Sequence, residues 1–135
     1  METGASINYF AVLAAAASAF ALGGVWYSPA LFHNHWLAAS GLTPEEVRSA
    51  HPAKVFGLSF VLALVAAFVF ALFLGPDPSL ALGLGAGFSA GLCWVAASFG
   101  INYLFEGRSF RLWLINGGYH TVQFTLYGLI LGLWH

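Results

Sequence analysis

The sequence predicts an all-α integral membrane protein, a four-transmembrane-helix bundle with short interfacial helices in its first connection. Three observations carry that expectation. Of 135 residues, 60% are apolar and only 7% charged, against about 25% charged in an average soluble domain; that is too little charge to cover a soluble surface. Four stretches without Asp, Glu, Lys or Arg, residues 7–26, 55–74, 79–103 and 112–134, each meet or exceed the roughly 20 residues that cross about 30 Å of hydrocarbon at 1.5 Å per residue. None alternates with period two, as a membrane β-strand would. Helix, which pairs every backbone N–H and C=O within its own segment, is then the state open to them in lipid.

The first span, 7–26, follows Met1 to Ser6, which carries Glu2 and no Lys or Arg. That is unlike the positive start of a secretory signal, and no signal peptide is expected. The first connection, Tyr27 to Lys54, is long and reads as structured. Ser28 is placed to cap a short helix over 29–40 with Pro29 at its first position and Gly41 as its stop. Leu31, Phe32, Trp36 and Leu37 suit it to the lipid–water boundary. Thr43-Pro44-Glu45-Glu46 reads as a capping box opening a second short helix over 44–51, which Pro52 ends. Gly75-Pro76-Asp77-Pro78-Ser79 cannot continue a helix and predicts a close antiparallel hairpin of spans two and three. Glu106-Gly107-Arg108-Ser109 parts spans three and four. All four basic residues, Arg48, Lys54, Arg108 and Arg111, lie in or beside the first and third connections. The positive-inside rule then makes that side cytoplasmic, with both termini extracytoplasmic.

Small residues recur every fourth position: Gly83, Gly87 and Gly91 in span three, Gly128 and Gly132 in span four, and Ala15, Ala19 and Gly23 in span one. This period lets helix backbones approach closely, within one chain or between copies. The lone Cys93 excludes an internal disulfide and any Cys-based metal cluster. It reads as a small core hydrophobe.

Polar groups deep in a bilayer are costly and usually have a reason to be there. In span four, Asn116, His120, Gln123 and Tyr127 fall on one stripe. In span three, Ser98, Asn102 and Glu106 are successive fourth residues. The antiparallel arrangement sets Ser98 and Asn102 at the depth of Asn116, so the stripes are expected to meet, with Glu106 beside Arg108 and Arg111 at the mouth. Two readings stand: hydrogen-bonding glue between helices, or the lining of a path for a solute, ion or cofactor. His33-Asn34-His35 resembles a metal pair only superficially, since neighbours two apart on a helix diverge. No metal ligand set, nucleophile motif or phosphate loop is found.

Several of these residues form a recognisable set. Trp26-Tyr27-Ser28-Pro29 is followed by Leu31-Phe32 and Trp36, and Gly41-Leu42 precedes the capped helix. Then come Leu104-Phe105-Glu106-Gly107-Arg108 and Ile115-Asn116-Gly117-Gly118-Tyr119-His120, with a glycine-rich end from Gly128 to Trp134. Together they resemble an uncharacterised bacterial membrane family catalogued as domain of unknown function 1761. The likeness covers nearly the whole chain. It implies a small four-span protein with no established activity and puts weight on Trp26, Tyr27, Pro29, Glu106, Arg108, Asn116 and His120. Family members carry Gly or another non-His residue at His33 and His35, a departure that further weakens a metal reading of that pair.

Three function classes remain. The first, which the sequence favours, is an oligomeric transporter or channel for a small solute or ion. Its polar path would run along Ser98, Asn102, Glu106, Asn116, His120, Gln123 and Tyr127. The second is an accessory or assembly subunit of a larger membrane complex, in keeping with the small-residue faces and the lack of a catalytic set. The third, a membrane-embedded enzyme or cofactor binder using His120, lacks a partner nucleophile or second ligand. No catalytic residue and no particular cofactor is specified. The expected partners are the lipid bilayer and further copies or membrane subunits. A net charge of −1 offers nothing to attract nucleic acid.

Overall fold

The computed structural model describes residues 7–49 and 51–135. The reading of Met1 to Ser6 and the end of the second short helix at Ala50 lie outside them. The described residues are helical without strands: α1 (Tyr9–Trp26), α2 (His33–Ser40), α3 (Pro44–Ser49), α4 (Pro52–Leu74), α5 (Leu80–Glu106) and α6 (Phe110–Leu133). Residues Ala90–Ala96 of α5 are π-helical. Three helices, α1, α4 and α5, are long and apolar enough to cross a membrane. On α4, Val61, Leu62, Val65, Val69 and Phe73 are exposed, an apolar surface suited to lipid. α6, at 24 residues, is long enough but less apolar, because Asn116, His120, Thr121, Gln123 and Thr125 interrupt it.

Local chemistry sets the boundaries. The side chains of Asn8, Ser79 and Ser109 accept from the backbone N–H groups of Ala11 (3.1 Å), Leu82 (3.0 Å) and Leu112 (3.2 Å), N-caps that satisfy orphan donors of α1, α5 and α6. The capping box forms, with Glu46 N to Thr43 Oγ1 at 3.1 Å and Thr43 N to Glu46 Oε1 at 2.8 Å. Gly41 (φ 78°) and Gly107 (φ 71°) stop α2 and α5 in the left-handed region, where a side chain would strain the backbone.

Several expected boundaries are corrected. α2 begins at His33 rather than 29, because Ser28 does not cap it. The Ser28 hydroxyl donates back to Val25 O at 2.7 Å. Its carbonyl instead accepts from Leu31 and His33, a turn that uses up residues 28–32. Pro52 opens α4 at its first turn, with His51 Nδ1 accepting from Lys54 N at 3.3 Å, so the second span starts earlier than 55. α5 runs on to Glu106, and α6 occupies Phe110–Leu133 rather than 112–134.

The helices run in alternating directions. Trp26 reaches Ile115 while Ala19 meets Tyr119, so α1 is antiparallel to α6. The pairs Tyr9–Phe68 and Phe20–Phe60 set α1 antiparallel to α4. At one end Arg108 Nη1 donates to Ser40 O at 3.5 Å, joining the first and third connections. At the other, His135 Nε2 lies 2.8 Å from Asp77. The expected close hairpin of spans two and three is corrected. α4 packs chiefly on α1 and α5 on α6, and α4 touches α5 only sparsely. The reason is which faces match: Ala63, Ala67 and Ala71 of α4 find the alanine seam Ala11, Ala15, Ala16 and Ala19 of α1, while the glycine face of α5 finds that of α6. A Cβ at Gly83 would overlap the Gly128 carbonyl, and one at Gly87 the Phe124 carbonyl. One at Gly91 would come within 2.7 Å of His120 O. Gly132 lies against Leu80 in the same seam.

Candidate functional site

The polar stripe of α6 divides into two networks, and the π-helical segment of α5 decides what faces them. Gly83, Gly87 and Gly91 point α5 toward α6 every fourth residue. Continued in a regular helix, that phase would bring Ser98 and Asn102 to α6. A π-turn closes i to i+5, which moves the inward phase one residue along the chain. Buried Ala96, then Phe99 and Tyr103, therefore face α6, and Ser98 and Asn102 are exposed. Trp113 Nε1 donates to Ala96 O at 2.7 Å, at the end of the π segment.

The first network centres on Asn116. Tyr27 Oη donates to Asn116 Oδ1 at 2.7 Å, and Asn116 Nδ2 donates to Tyr103 Oη at 2.8 Å. One amide thus ties the end of α1 to α5 and α6. Around it, Trp26 Nε1 donates to Ile115 O (2.9 Å) and Tyr119 Oη to Ala19 O (2.9 Å). Gly118 makes room for Trp26, since a Cβ there would meet the indole at 3.1 Å. Burial, with smaller contributions from Tyr119 and Tyr103, pushes the Tyr27 phenol well above its usual pKa, so it stays a neutral donor. Trp26, weighted by the family resemblance, shares this network with Tyr103, Trp113 and Tyr119, which were not singled out as site residues from the sequence. The signal available was an aromatic at the right period on each helix.

The second network runs along α6. His120 Nδ1 lies 2.5 Å from Gln123 Oε1, Gln123 Nε2 is 2.8 Å from Tyr127 Oη, and Tyr127 Oη is 3.2 Å from Ala63 O on α4. Gln123 is 6% exposed and Tyr127 0%. The His120 ring is sandwiched by aromatics: Phe99 stacks on it at 5.1 Å and 10°, and Tyr119 meets it edge-on at 4.9 Å.

The remaining candidates stand apart. Glu106 pairs with Arg108 at 2.8 Å, both about half-exposed, and Arg108 lies 6.0 Å over the Tyr103 ring. Arg111 is exposed on the first turn of α6. Ser98 and Asn102 lie with Trp94, Val95 and Phe99 along one open face of α5. A space of about 20 Å³ lies at the opposite end, among Asn8, Leu74, Pro78 and His135. Cys93 is exposed rather than in the core, a correction that follows from its place on the outer side of the π segment. His33 lies beside Trp36, and His35 is exposed.

The motif segments of the first connection, the end of α5 and the start of α6, far apart in sequence, thus meet at one end of the molecule, and the glycine-rich segment 128–134 lies toward the other. A family described as Protein of unknown function (DUF1761) matches residues 10–132. No curated protein and no solved structure matches the chain.

Proposed function

The chain belongs to the DUF1761 family, and we propose that it is a four-span, non-enzymatic assembly subunit of a bacterial inner membrane, built to pack against further copies or other membrane proteins. The observation that carries this reading is how the interior polar groups are spent. Asn116 is held by Tyr27 and Tyr103, and Gln123 and Tyr127 are closed onto Ala63 O. That is hydrogen-bonding glue between helices, the use such residues have in membrane interiors. The fourth span is supported by α6's 24 residues, about 36 Å at 1.5 Å per residue, and by polar groups that turn inward. Arg108 and Arg111, with Arg48 and Lys54, gather at the end where the first and third connections meet, which supports a cytoplasmic placement of that end.

A second reading is favoured by one observation. Ser98, Asn102 and Glu106 form an exposed polar stripe on α5, where polar groups facing lipid are costly. Between copies, that stripe would line a path for a small solute or ion. Purified protein in lipid discs and in sealed vesicles separates the two. An assembly subunit gives a defined multimer or a stoichiometric complex by native mass spectrometry, and vesicles no leakier than protein-free ones. Ion or solute flux that Asn102→Leu abolishes would overturn the assembly reading in favour of the conduit.

A further inference from the structure

Beyond its π segment, α5 carries a seam of side chains that the rest of the chain leaves uncovered. Val95, Ser98, Asn102 and Phe105 follow one another at spacings of three, four and three. On a helix that is a single stripe, of the kind that closes two-stranded coils. Phe105 is 91% exposed, Ser98 and Asn102 are exposed, and Val95 is partly so. The inward side of the same turns is occupied, since Ala96, Phe99 and Tyr103 meet α6. Neither the Ser98 hydroxyl nor the Asn102 amide hydrogen-bonds any described residue. At 1.5 Å per residue these two stand about 12 and 6 Å along the helix from Glu106, on the way into the span. Neither side chain is long enough to reach back to water as Lys or Arg does, and an unpaired polar group facing lipid is unfavourable.

Lipid tails offer such groups nothing, but a second copy of the chain does, because the seam is complementary to itself. A primary amide carries donors and an acceptor, and a hydroxyl both donates and accepts. Copies inserted the same way round are related by a two-fold axis along the bilayer normal. In such a contact each residue meets its own counterpart. Around that axis two Asn102 amides can exchange N–H···O bonds, with Ser98 meeting its counterpart one turn deeper and Val95 and Phe105 packing to either side. One Asn at this kind of position fixes register and strand number in coiled coils. The charges permit the contact. Glu106 is paired with Arg108 at 2.8 Å, so two copies bring together ion pairs rather than bare carboxylates.

We propose that this seam of α5 is where two copies of the chain pair, parallel to each other, with the Asn102 amides bonded across the two-fold axis. The inference rests on the assembly reading and names its partner and its face. The polar pair is spent on itself and leaves no path between the copies. The register step at Ala90–Ala96 then serves both sides of α5, turning the aromatics to α6 and the polar pair to the second copy.

The test is cysteine cross-linking and dimer affinity in lipid. In a Cys93→Ala background, Ser98→Cys and Phe105→Cys lie on the seam, Ala97→Cys and Leu104→Cys lie exposed but off it, and all four keep Asn102. Oxidised in membranes, the first two are expected to form cross-linked dimers and the second two to stay monomeric. Energy transfer between labelled copies in vesicles, followed as lipid dilutes the protein, gives the affinity. Asn102→Leu is expected to weaken it about tenfold, the scale of interhelical hydrogen bonds in a membrane, and Asn102→Gln, which keeps an amide, to weaken it less. Because Asn102 makes no hydrogen bond within its own chain, Asn102→Leu is expected to keep the wild-type helical signal and unfolding midpoint. Cross-links at 97 and 104 in place of 98 and 105 overturn the inference, and so does an affinity indifferent to Asn102→Leu; a multimer that persists in either case keeps the assembly reading. A complex in which a different membrane protein takes this face overturns the inference in the same way. Wild-type protein that is monomeric at every dilution also overturns it, and if no other complex forms the assembly reading falls with it.

Discussion

Gly85→Ala and Gly87→Ala are a matched pair that isolates the seam between α5 and α6. Each adds one methyl to the same helix, and each gains the same intrinsic preference of Ala over Gly, about 1 kcal/mol. At Gly85 a Cβ has nothing within 4 Å, so that gain is all that remains. At Gly87 the Cβ would overlap the carbonyl of Phe124 and come within 3.2 Å of Thr125 Cα. Both are backbone atoms that no side-chain rotation can move, so the two helices must part. Parting them also loosens the neighbouring Gly83–Gly128 contact, which is as close. Overpacking of this kind costs about 1–3 kcal/mol, and because propensity cancels, that is also the expected gap between the two variants. Reversible unfolding in mixed micelles, followed by helical circular dichroism, measures it. Gly85→Ala is expected to match or exceed the wild-type midpoint and Gly87→Ala to fall below it. If Gly85→Ala is as damaging as Gly87→Ala, the packing face has been misassigned.

Three further outcomes are expected. In a Cys93→Ala background, cysteines at positions 77 and 107 should label from opposite sides of the membrane, position 77 from outside; labelling from one side removes the four-span reading. Tyr27→Phe strips the donor from Asn116 Oδ1 and should cost about 1–3 kcal/mol in the same unfolding measurement, whereas Ser98→Ala should be close to neutral; equal effects would refute the placement of the network. Deleting Leu92 removes the extra residue of the π segment while keeping Phe99 and Tyr103 toward α6, so folding should survive. Deleting Phe88 turns everything beyond it by about 100° and should not be tolerated, and equal tolerance would count against the register shift.

The existence of the long helices was readable because it depends on composition. A run of apolar residues that excludes charge has one way to satisfy its backbone in lipid, whatever its neighbours do. The capping box at Thr43 and Glu46 was readable for a similar reason: the interaction closes within four residues. Ser28 marks the limit of such reasoning. A serine before a proline has the form of an N-cap, but its hydroxyl also sits within reach of a carbonyl in the preceding turn, and Val25 O takes it. Both outcomes are local, so spacing alone does not choose between them. The hairpin was misjudged for a different reason. A short connection fixes where two helices begin, while the alanine and glycine faces fix what they lie against.

The site depended on information of a third kind. Nothing in Ala90–Ala96 announces a π-turn, which is decided by what the helix gains beyond it. The gain is visible here: Tyr103 reaches Asn116, Phe99 covers His120, and Trp113 takes the Ala96 carbonyl. A regular helix would have set Ser98 and Asn102 against α6 and left these aromatics turned away. The stripe on α6 could be read because its own helix is regular there, and the stripe on α5 was displaced because a single residue of register lies between its glycine half and its polar half. The direction of the His120 network is further from the sequence still, since it originates in the backbone carbonyl of an alanine, Ala63, that no side-chain pattern distinguishes. That is why the order of this network emerges only when the hydrogen bonds are followed from acceptor to donor across two helices.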